Sequence, residues 1–426
     1  MLAVALCACG EKKPDPVTFH KDIEPLLKDR CGDCHVEGGI GPFPLQTYAD
    51  FMAQKEAVLG AMQMRIMPPW PARRDCHDYA PDGTLSDEQI ALVKNWAAAG
   101  ALEGDPKQFV ASTEAKPSLS RVDFSVSMPQ PFTPTGNPDE YRCFILDWPS
   151  TETAVKYITG FAFKPGVPSM VHHADLFYIN PEYVSKFQQK DDADPGQGYQ
   201  CYSFPNPVDE GAWIGTFVPG SRGMDFPEGT GLGLKPGSKF LIQMHYNTQF
   251  SNGAKPDVST LQLSLATHIR HISSVQAFAD LNWITNGTMD IPAGNPDVMH
   301  RYQLDPTPYL SLANDGFTDG QPVKLYAATL HMHQLGKSAK VEIVRADGGV
   351  DCLADVPKWD FHWQLPYTLA APVVVNPGDQ VAVECHWDNS SGNQPISNGV
   401  QQPPRDVNWG PNTTDEMCVA GIYISQ

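Results

Sequence analysis

The sequence predicts a multidomain protein in which a small all-α domain is followed by two tandem all-β sandwiches of jelly-roll-like type. Two observations carry this prediction. Apolar residues recur at helical spacing before residue 104, whereas the later part of the chain consists of short β-rich segments separated by turn residues. The length of 426 residues is enough for roughly two to four domains, and 41% hydrophobic residues suffice for several cores.

Three helices are predicted in the N-terminal part. The first covers 17–30, where apolar residues recur at helical spacing. The second covers 48–67 and is stopped by the Pro68-Pro69 pair. The third begins at Ser86, an expected N-cap that Gln89 completes as a capping box, and ends near Gly100. These helices enclose one short cysteine motif.

That motif has the order Cys-Gly-Asp-Cys-His and places Cys31, Cys34 and His35 together. It is the attachment motif of c-type haem, in which the two thiols bond to the haem edge and the histidine reaches the iron. The N-terminal domain is therefore predicted to be a cytochrome c-like electron-transfer domain with one covalent haem c. The alternative is a redox Cys-x-x-Cys pair followed by an incidental histidine.

Met67 is the expected sixth ligand of the haem iron, because a methionine raises the haem potential and suits electron transfer. Met64 and Met62 are close in sequence, and His77 is a competitor. Alternatively, these methionines only fill the core around the porphyrin.

The remaining chain is predicted to form strands, for example at 240–246, 323–331 and 380–385, with turns at Pro236-Gly237 and Pro377-Gly378. About three hundred residues are too many for one sandwich, so we expect two. The expected domains are a lipoprotein signal remnant (1–9), a tether (10–17), the cytochrome c-like domain (18–104), a polar linker (105–121), the first sandwich (122–275) and the second sandwich (276–426).

Histidines in the β-rich part suggest metal binding. His331 and His333 are two residues apart, so in a strand they share a face and can chelate one ion. The adjacent His172 and His173 would point to opposite faces, and they can bind one ion only at a bulge or strand end. Imidazole suits copper, zinc, iron or nickel, and a thioether selects Cu(I). Taken singly, each histidine is more often a hydrogen-bonded or surface residue.

Residues 141–423 resemble the copper type II, ascorbate-dependent monooxygenases, which include the peptidylglycine α-hydroxylating and dopamine β-monooxygenases. The matching motifs are His172-His173, Gln243-Met244-His245-Tyr246, His331-Met332-His333 with Leu335-Gly336, and Asp415-Glu416-Met417-Cys418. The resemblance implies two copper ions. His172, His173 and His245 would hold an electron-transfer copper. His331, His333 and Met417 would hold the catalytic copper that binds O2.

The resemblance also implies two disulfides, Cys143 with Cys201 and Cys385 with Cys418. Cys76 and Cys352 are left over. They are either free thiols or a bridge between the cytochrome c-like domain and the second sandwich.

The chain departs from the peptide-hydroxylating relatives where these bind the substrate carboxylate. Thr329 stands in place of an arginine, and Val419 and Gly421 stand in place of an asparagine and a tyrosine. We therefore expect a small, neutral, largely apolar substrate.

The N-terminus predicts an extracytoplasmic location. Residues 2–8 are apolar and resemble the end of a secretory signal, and the lipobox-like residues 6–10 would make Cys9 the lipidated residue of a bacterial lipoprotein. The protein would then lie on the periplasmic or cell-surface side and meet the membrane only through its lipid anchor. Haem attachment and several further cysteines favour the same oxidising compartment. The net charge of −19 argues against nucleic acid as a partner.

Together these features predict a copper-dependent monooxygenase that hydroxylates a C–H bond with O2. Its electrons would come from an external donor through the fused haem. A second hypothesis is a copper-binding electron-transfer or copper-handling lipoprotein without hydroxylase activity. A third, a haem-linked docking module, predicts no bound copper.

Overall fold

The structure is a computed structural model, and it describes residues 15–80, 83–112, 118–136, 139–201, 210–248, 251, 253–397 and 400–426. Cys9, the predicted lipidation site, lies outside these residues. Within the described part of the chain, no helix is both long and apolar enough to cross a membrane.

The N-terminal region is helical and has a core of its own. Its largest fully buried side chains include Phe19, Phe51 and Trp96. Its elements are a π-helical turn (Phe19–Ile23), α1 (Glu24–Arg30), α2 (Tyr48–Ala53), α3 (Lys55–Gln63), α4 (Asp87–Ala98) and a 3-10 turn (Pro106–Gln108).

The capping box predicted at Ser86 is confirmed, because the Ser86 side chain accepts from the Gln89 backbone and the Gln89 side chain accepts from the Ser86 backbone. The single helix predicted over 48–67 is wrong. It is interrupted at Gln54, whose φ of −117° and ψ of 14° are not helical. It also ends at Gln63, before the prolines, because Arg65 adopts a left-handed φ of 56°.

The next part of the chain forms a sandwich of two antiparallel layers, which pack Phe240, Ile158 and Leu261 into one core. One layer has the order β1–β10–β3–β8, with β7 beside β3, and the other has the order β6–β4–β9–β2–β5. The strands are β1 (Phe124–Ser127), β2 (Asp139–Asp147), β3 (Lys156–Lys164), β4 (Val171–Ile179), β5 (Tyr199–Gln200), β6 (Gly211–Phe217), β7 (Met224–Asp225), β8 (Thr230–Leu234), β9 (Lys239–Asn247) and β10 (Thr260–Ala266).

A 3-10 turn (Pro181–Tyr183) and a helix, α5 (Val184–Ala193), follow β4. The helix was not expected from the sequence. It buries only Phe187, which packs on the outer face of the sandwich against Phe177 and Leu241.

The last part of the chain forms a second sandwich, with the layers β11–β20–β13–β16 and β12–β17–β14–β15. Its strands are β11 (His271–Phe278), β12 (Val298–Leu304), β13 (Val323–His331), β14 (Gly336–Val344), β15 (Val350–Val356), β16 (Tyr367–Val375), β17 (Gln380–Trp387) and β20 (Val419–Ser425). The smaller elements are α6 (Leu281–Asn286), α7 (Leu310–Ala313), the hairpin β18 (Ile396–Ser397) and β19 (Val400–Gln401), and 3-10 turns at Thr307–Tyr309 and Ser391–Asn393. The three strands named from the sequence are all confirmed.

The two sandwiches share a continuous sheet at β11. This strand pairs with β20 along its length and with β6 through Val275 and Trp213. The expected boundary near residue 275 falls inside this shared strand. The surfaces of β6, β13 and β20 therefore face a common cleft.

The helical region is attached to both sandwiches. Cys76 and Cys352 form a disulfide with Cα atoms 5.2 Å apart, which joins the region to β15. Asp33, inside the cysteine–histidine motif, forms a 2.6 Å ion pair with Arg222 of the first sandwich. Trp70 packs edge-on against Tyr367 of β16. These three contacts hold the helical region, with its cysteine motif, against the two sandwiches.

Two further disulfides lie within the sandwiches, Cys143–Cys201 and Cys385–Cys418, with Cα separations of 5.7 and 5.9 Å. Three disulfides indicate that the chain folds in an oxidising, extracytoplasmic compartment.

Candidate metal centres and cavities

The first candidate metal centre lies on the neighbouring strands β4 and β9. Their pairing shifts register between Val171 and His173, so β4 bulges at His172. A regular strand would send His172 and His173 to opposite faces, but the bulge brings both rings to His245, the residue that pairs with His173. The sequence required a bulge or a strand end here, and the structure has a bulge.

The three rings converge through the same nitrogen. His172 Nδ1 lies 3.2 Å from His173 Nδ1 and 3.1 Å from His245 Nδ1, and the third side of the triangle is 3.4 Å. Nitrogens bound at about 2.0 Å to one tetrahedral ion are about 3.3 Å apart. The spacing therefore fits a single metal ion held by three Nδ1 atoms, and these residues form the one His, Cys, Asp or Glu cluster of this kind in the described chain.

The surroundings fix the protonation of these rings. His245 Nε2 contacts Asp139 Oδ1 at 2.8 Å, and the ring stacks on Tyr141 with 4.2 Å between centroids. A carboxylate on the outer nitrogen holds its proton there and leaves Nδ1 for a metal. Burial lowers the pKa of all three histidines, and it lowers those of His172 and His173 well below the ordinary value. The rings are thus neutral at pH 7, the state in which imidazole binds metals.

The second candidate centre lies in the second sandwich, at the end of β13. His331 is the last residue of the strand, and its ring lies 5.1 Å from the ring of His333. His331 Nδ1 donates to the Gln364 side chain, and His333 Nδ1 donates to the Asp415 carbonyl at 3.0 Å. Both Nδ1 atoms are therefore occupied, and Nε2 is left for a metal. Burial lowers the pKa of His331 to about 4 and that of His333 to about 3.

Met417 is connected to this pair through its neighbours in the chain. The β13–β20 ladder sets His331 opposite Val419, two residues after Met417. The neighbouring residues fix this segment. Glu416 is fully buried, and its carboxyl accepts from the backbone N–H groups of His333 at 2.9 Å and of Leu335 at 2.6 Å.

Trp387 Nε1 also donates to Glu416, at 2.8 Å. Burial raises the pKa of Glu416 to about 7 although these three donors oppose the shift. Cys418 is bonded to Cys385 on β17. Glu416 and the disulfide therefore anchor both neighbours of Met417, and Glu416 ties them directly to the His333 turn.

An aromatic ring lies between the two histidine sets. The Phe361 ring is 5.6 Å from that of His172, nearly parallel to it, and 6.3 Å from that of His333. Phe361 is buried. The two centres are thus separate but face one another, with one side chain in the space between them.

The haem motif borders a cavity of about 310 Å³ in the helical region. Cys31, Cys34 and His35 line it, and His35 Nδ1 donates to the Phe43 carbonyl at 2.8 Å, so its other nitrogen is free to bind iron. The remaining lining is largely apolar and includes Ile40, Val58, Ala61, Met62, Met67 and Leu85. The thiols, the oriented imidazole and the apolar walls suit a covalently attached porphyrin.

The structure separates the candidate sixth ligands. Met67 and Met62 line the cavity. Met64 has 68% of its surface exposed, and His77 lies against the Tyr79 ring at 6.2 Å, away from the lining. Only two of the four candidates therefore face the proposed haem site.

The same cavity reaches the first metal centre. His172, His362 and Trp363 also line it, and the His362 ring is 5.6 Å from that of His172. One histidine of the metal triangle thus borders the space expected to hold the haem.

Two more cavities occupy the cleft between the sandwiches. The larger, about 220 Å³, is lined by Thr329 and Gly421, two of the positions at which the carboxylate-binding residues are absent. The smaller, about 50 Å³, is lined by Val419 together with His173 and His331, one histidine from each metal centre. Neither cavity has a lysine or an arginine among its described lining residues, so the space beside the second candidate centre offers no cation to a substrate carboxylate.

Sequence reasoning predicted six ligands but not the residues that contact and orient their side chains. Asp139, Gln364 and Phe361 are distant in sequence from the histidines that they contact, and no local pattern marks them. Glu416 belongs to the Asp415-Glu416-Met417-Cys418 motif. Its hydrogen bonds to the backbone of His333 and Leu335 depend on burial that the sequence does not display.

Comparison with known proteins points first to a class. Residues 315–425 match the family described as copper type II ascorbate-dependent monooxygenase, C-terminal domain. This segment includes His331, His333 and Met417, so the second centre lies in the matched part. The match supports copper as the metal and a relationship to copper monooxygenases.

Similarity to individual proteins points to the same class. The chain is 24% identical over 267 residues to DBH-like monooxygenase protein 1 of Homo sapiens, covering 60% of this chain and 39% of that protein. It is 22% identical over 299 residues to dopamine beta-hydroxylase of Bos taurus, covering 67% of this chain and 46% of that protein. The chain thus spans less than half the length of either relative. Among solved structures, the major capsid protein P2 from bacteriophage PM2 has a TM-score of 0.26 at 9% identity, covering 71% of this chain and 96% of that one, which is too low to support a structural argument.

Proposed function

We propose that the chain is a copper-dependent monooxygenase, an oxidoreductase that hydroxylates a C–H bond of a small neutral substrate with O2. The observation that carries the proposal is the placement of two unlike histidine sets on opposite sides of one apolar cleft. In the overall reaction, one oxygen atom enters the substrate and the other leaves as water. Two electrons and two protons are consumed.

The two proposed ligand sets suit different chemical roles. His172, His173 and His245 offer three buried neutral imidazoles, which suit a one-electron copper centre. His331, His333 and Met417 add a thioether, which favours Cu(I), the state that reacts with O2. Bound copper supplies one-electron redox chemistry at both places, which zinc lacks. The chain's own residues keep these ligands neutral, oriented and away from bulk water.

The electrons are proposed to reach the cleft from a covalent haem c, attached at Cys31 and Cys34 and ligated by His35 and Met67. The shared wall of the haem cavity supports this, because His172 belongs both to that wall and to the metal triangle. An external donor would reduce the haem, and the haem would then reduce the first copper. The helical region is thus proposed to be a cytochrome c-like domain over 18–104.

The remaining proposals concern location. The chain is proposed to be a periplasmic or cell-surface lipoprotein anchored through Cys9, with 122–275 and 276–426 as its two copper sandwiches. The disulfides support an extracytoplasmic place.

Metal content and oxygen stoichiometry test the activity. The full chain, produced with a haem-attachment system and loaded with Cu(II), is expected to bind two copper ions and to form one hydroxylated product for each O2 consumed. Copper binding with O2 uptake that no substrate stimulates would instead favour the electron-transfer or copper-handling hypothesis. A chain that takes up no copper would contradict both.

Rapid mixing tests the electron route. Pre-reduced protein mixed with O2 and substrate should reoxidise its haem at a rate independent of protein concentration. His172→Ala should slow this step strongly, whereas His268→Ala, at an exposed histidine away from the cleft, should not. Haem that stays reduced while product forms would contradict the route.

A further inference from the structure

The cavity between the sandwiches contains one buried carboxyl group that the proposed reaction does not use. It belongs to Asp175 of β4, of which 8% is exposed. Asp175 lies two residues after His173, so both side chains emerge on the same face of the strand, toward the cleft. Asp175, His173 and His331 together line the cavity of about 50 Å³.

This small space adjoins the larger one. The two cavities share Trp213, Thr216 and Thr329, so a molecule in the 220 Å³ cavity can extend to Asp175. Gly421 lets Thr329 and Trp213 pack closely against its backbone in the wall of the larger cavity, because a Cβ there would lie 2.5 Å from Thr329 Cγ2 and 3.1 Å from the Trp213 ring. Its walls are mainly apolar and aromatic, with Phe161, Phe226, Tyr326, Pro366 and Tyr423 among them.

The Asp175 carboxyl has little support from the protein. Thr216 Oγ1 donates to Asp175 Oδ1, and the described residues supply no other hydrogen bond to this carboxyl. Neither cavity has a lysine or an arginine among its described lining residues. A buried, ionised carboxylate costs free energy unless partners donate hydrogen bonds to it or carry positive charge. The unfilled acceptor positions therefore point to a donor supplied by the occupant.

We propose that Asp175 is the polar anchor of the substrate, and that the substrate is a largely apolar molecule with one hydrogen-bond donor, a hydroxyl or an amine. This inference rests on the proposed monooxygenase function: a hydroxyl-bearing substrate narrows the neutral class proposed above, whereas an amine, charged at neutral pH, would replace it. Asp175 receives the donor group while the apolar body fills the space lined by Phe161 and Tyr326. The molecule then lies beside His331 of the second metal centre, and a carboxylate in the same place would meet a carboxyl with no compensating cation.

Binding to a matched series tests this inference without turnover. The copper-loaded full chain is titrated under argon with cyclohexylmethanol, cyclohexylmethylamine, methylcyclohexane and cyclohexanecarboxylate. The alcohol or the amine is expected to bind about 10- to 100-fold more tightly than methylcyclohexane, as one hydrogen bond to a charged group implies, and the carboxylate should bind weakest. Equal affinities for the alcohol, the amine and methylcyclohexane would overturn the proposal.

Two variants distinguish a role of Asp175 in binding the substrate from a purely structural role. Asp175→Ala should remove the preference for donor ligands and leave the affinity for methylcyclohexane within about twofold. Thr216→Val removes only the hydroxyl that donates to Asp175, so donor ligands should bind at least as tightly as before. If both variants lower every affinity alike, Asp175 has a structural role and the proposal fails.

Asp175→Asn gives a second measurement if the alanine variant does not fold. It should weaken the amine more than the alcohol, because the amide keeps an acceptor but not a charge. Equal weakening of both ligands and of methylcyclohexane would count against the anchor. Electron paramagnetic resonance of Cu(II) checks that the His172 centre is unchanged in each variant. A chain that ranks the ligands as predicted but binds no copper refutes the monooxygenase function and still supports the anchor.

Discussion

The two proposed metal centres of this chain are built in different ways. In the first sandwich a bulge in β4 lets adjacent histidines meet a third on β9, and all three present Nδ1. In the second, His331 and His333 lie at and beyond a strand end, donate through Nδ1 and keep Nε2 for a metal. The first set is held on paired strands, with Asp139 orienting His245, whereas the second depends on the Glu416 turn.

This difference implies independent sites. Each set of ligands is fixed by its own sandwich; the Phe361 ring contacts a histidine of each set, and His173 and His331 border one small cavity. A change at one centre should therefore spare metal binding at the other, while turnover requires both. The following predictions test that independence.

Met417→Ala should have the largest effect. Removing the thioether leaves two imidazoles at the second centre, so turnover should fall below detection while the first centre still binds one copper ion per chain. Metal analysis together with product formation measures this. Met299→Ala, at a half-exposed methionine on β12, is the control and should retain both copper ions. Loss of both ions from Met417→Ala would show that the centres are coupled.

Asp139→Ala should weaken the first centre selectively. Without the carboxylate, the His245 ring loses the contact that orients it, and such partners typically account for 10- to about 100-fold in metal affinity. Competition with a copper chelator gives the affinity of each site. Asp147→Ala, at an exposed carboxylate on the same strand, should change neither site. An equal loss of copper affinity at both centres would argue against independent sites.

Glu416→Gln should affect the second sandwich. The two carboxylate oxygens accept from His333, Leu335 and Trp387, and an amide replaces one acceptor by a donor that faces these N–H groups. The free energy of unfolding should fall by about 1–3 kcal/mol, as expected for an unpaired buried polar group. Urea denaturation of the copper-free protein measures it. Weaker copper binding at the first centre would contradict the prediction.

Acid should destabilise the copper-free protein gradually. Burial lowers the pKa of all five site histidines, so between about pH 6.5 and 4 the unfolded chain binds more protons on them than the folded chain. Burial raises the pKa of Asp175 to about 6 and that of Glu416 to about 7, which acts in the opposite direction but involves two groups against five. The contribution of the histidines to stability is complete above about pH 6.5 and is lost as the pH falls.

The expected slope is about 1.4 kcal/mol per pH unit for each net proton. Urea denaturation at a series of pH values measures it. Stability that is constant or rises between pH 6.5 and 4.5 would show that the histidines are not held neutral by burial.

Local features of the fold were predictable from the sequence, and long-range ones were not. The Ser86 capping box and the strand β13 follow from neighbouring residues, and so does the need for a bulge or a strand end at His172 if both adjacent histidines bind one ion. The break at Gln54 was missed because a continuous run of helix-forming residues covers it. Helix α5 was missed because it is mostly polar and buries only Phe187.

The candidate site was likewise only partly predictable from the sequence. The resemblance predicted the six ligands, whereas Asp139, Gln364 and Asp175 are brought to the site only by folding. The sequence offers no geometric evidence on a Cys76–Cys352 bridge, and the structure joins these two residues, which are 276 positions apart. No property of either cysteine's neighbours indicated that partner.

The Cys76–Cys352 disulfide closes a covalent loop in the chain. The segment from Cys76 to Cys352 includes the linker 105–121 and the whole first sandwich, so the polar linker is not the only covalent connection of the helical region. A protease that cut the linker once would leave a single molecule under oxidising conditions and two fragments after reduction. The position of the haem motif beside His172 is therefore maintained by a crosslink and by docking contacts, and the length of the linker can vary without releasing it.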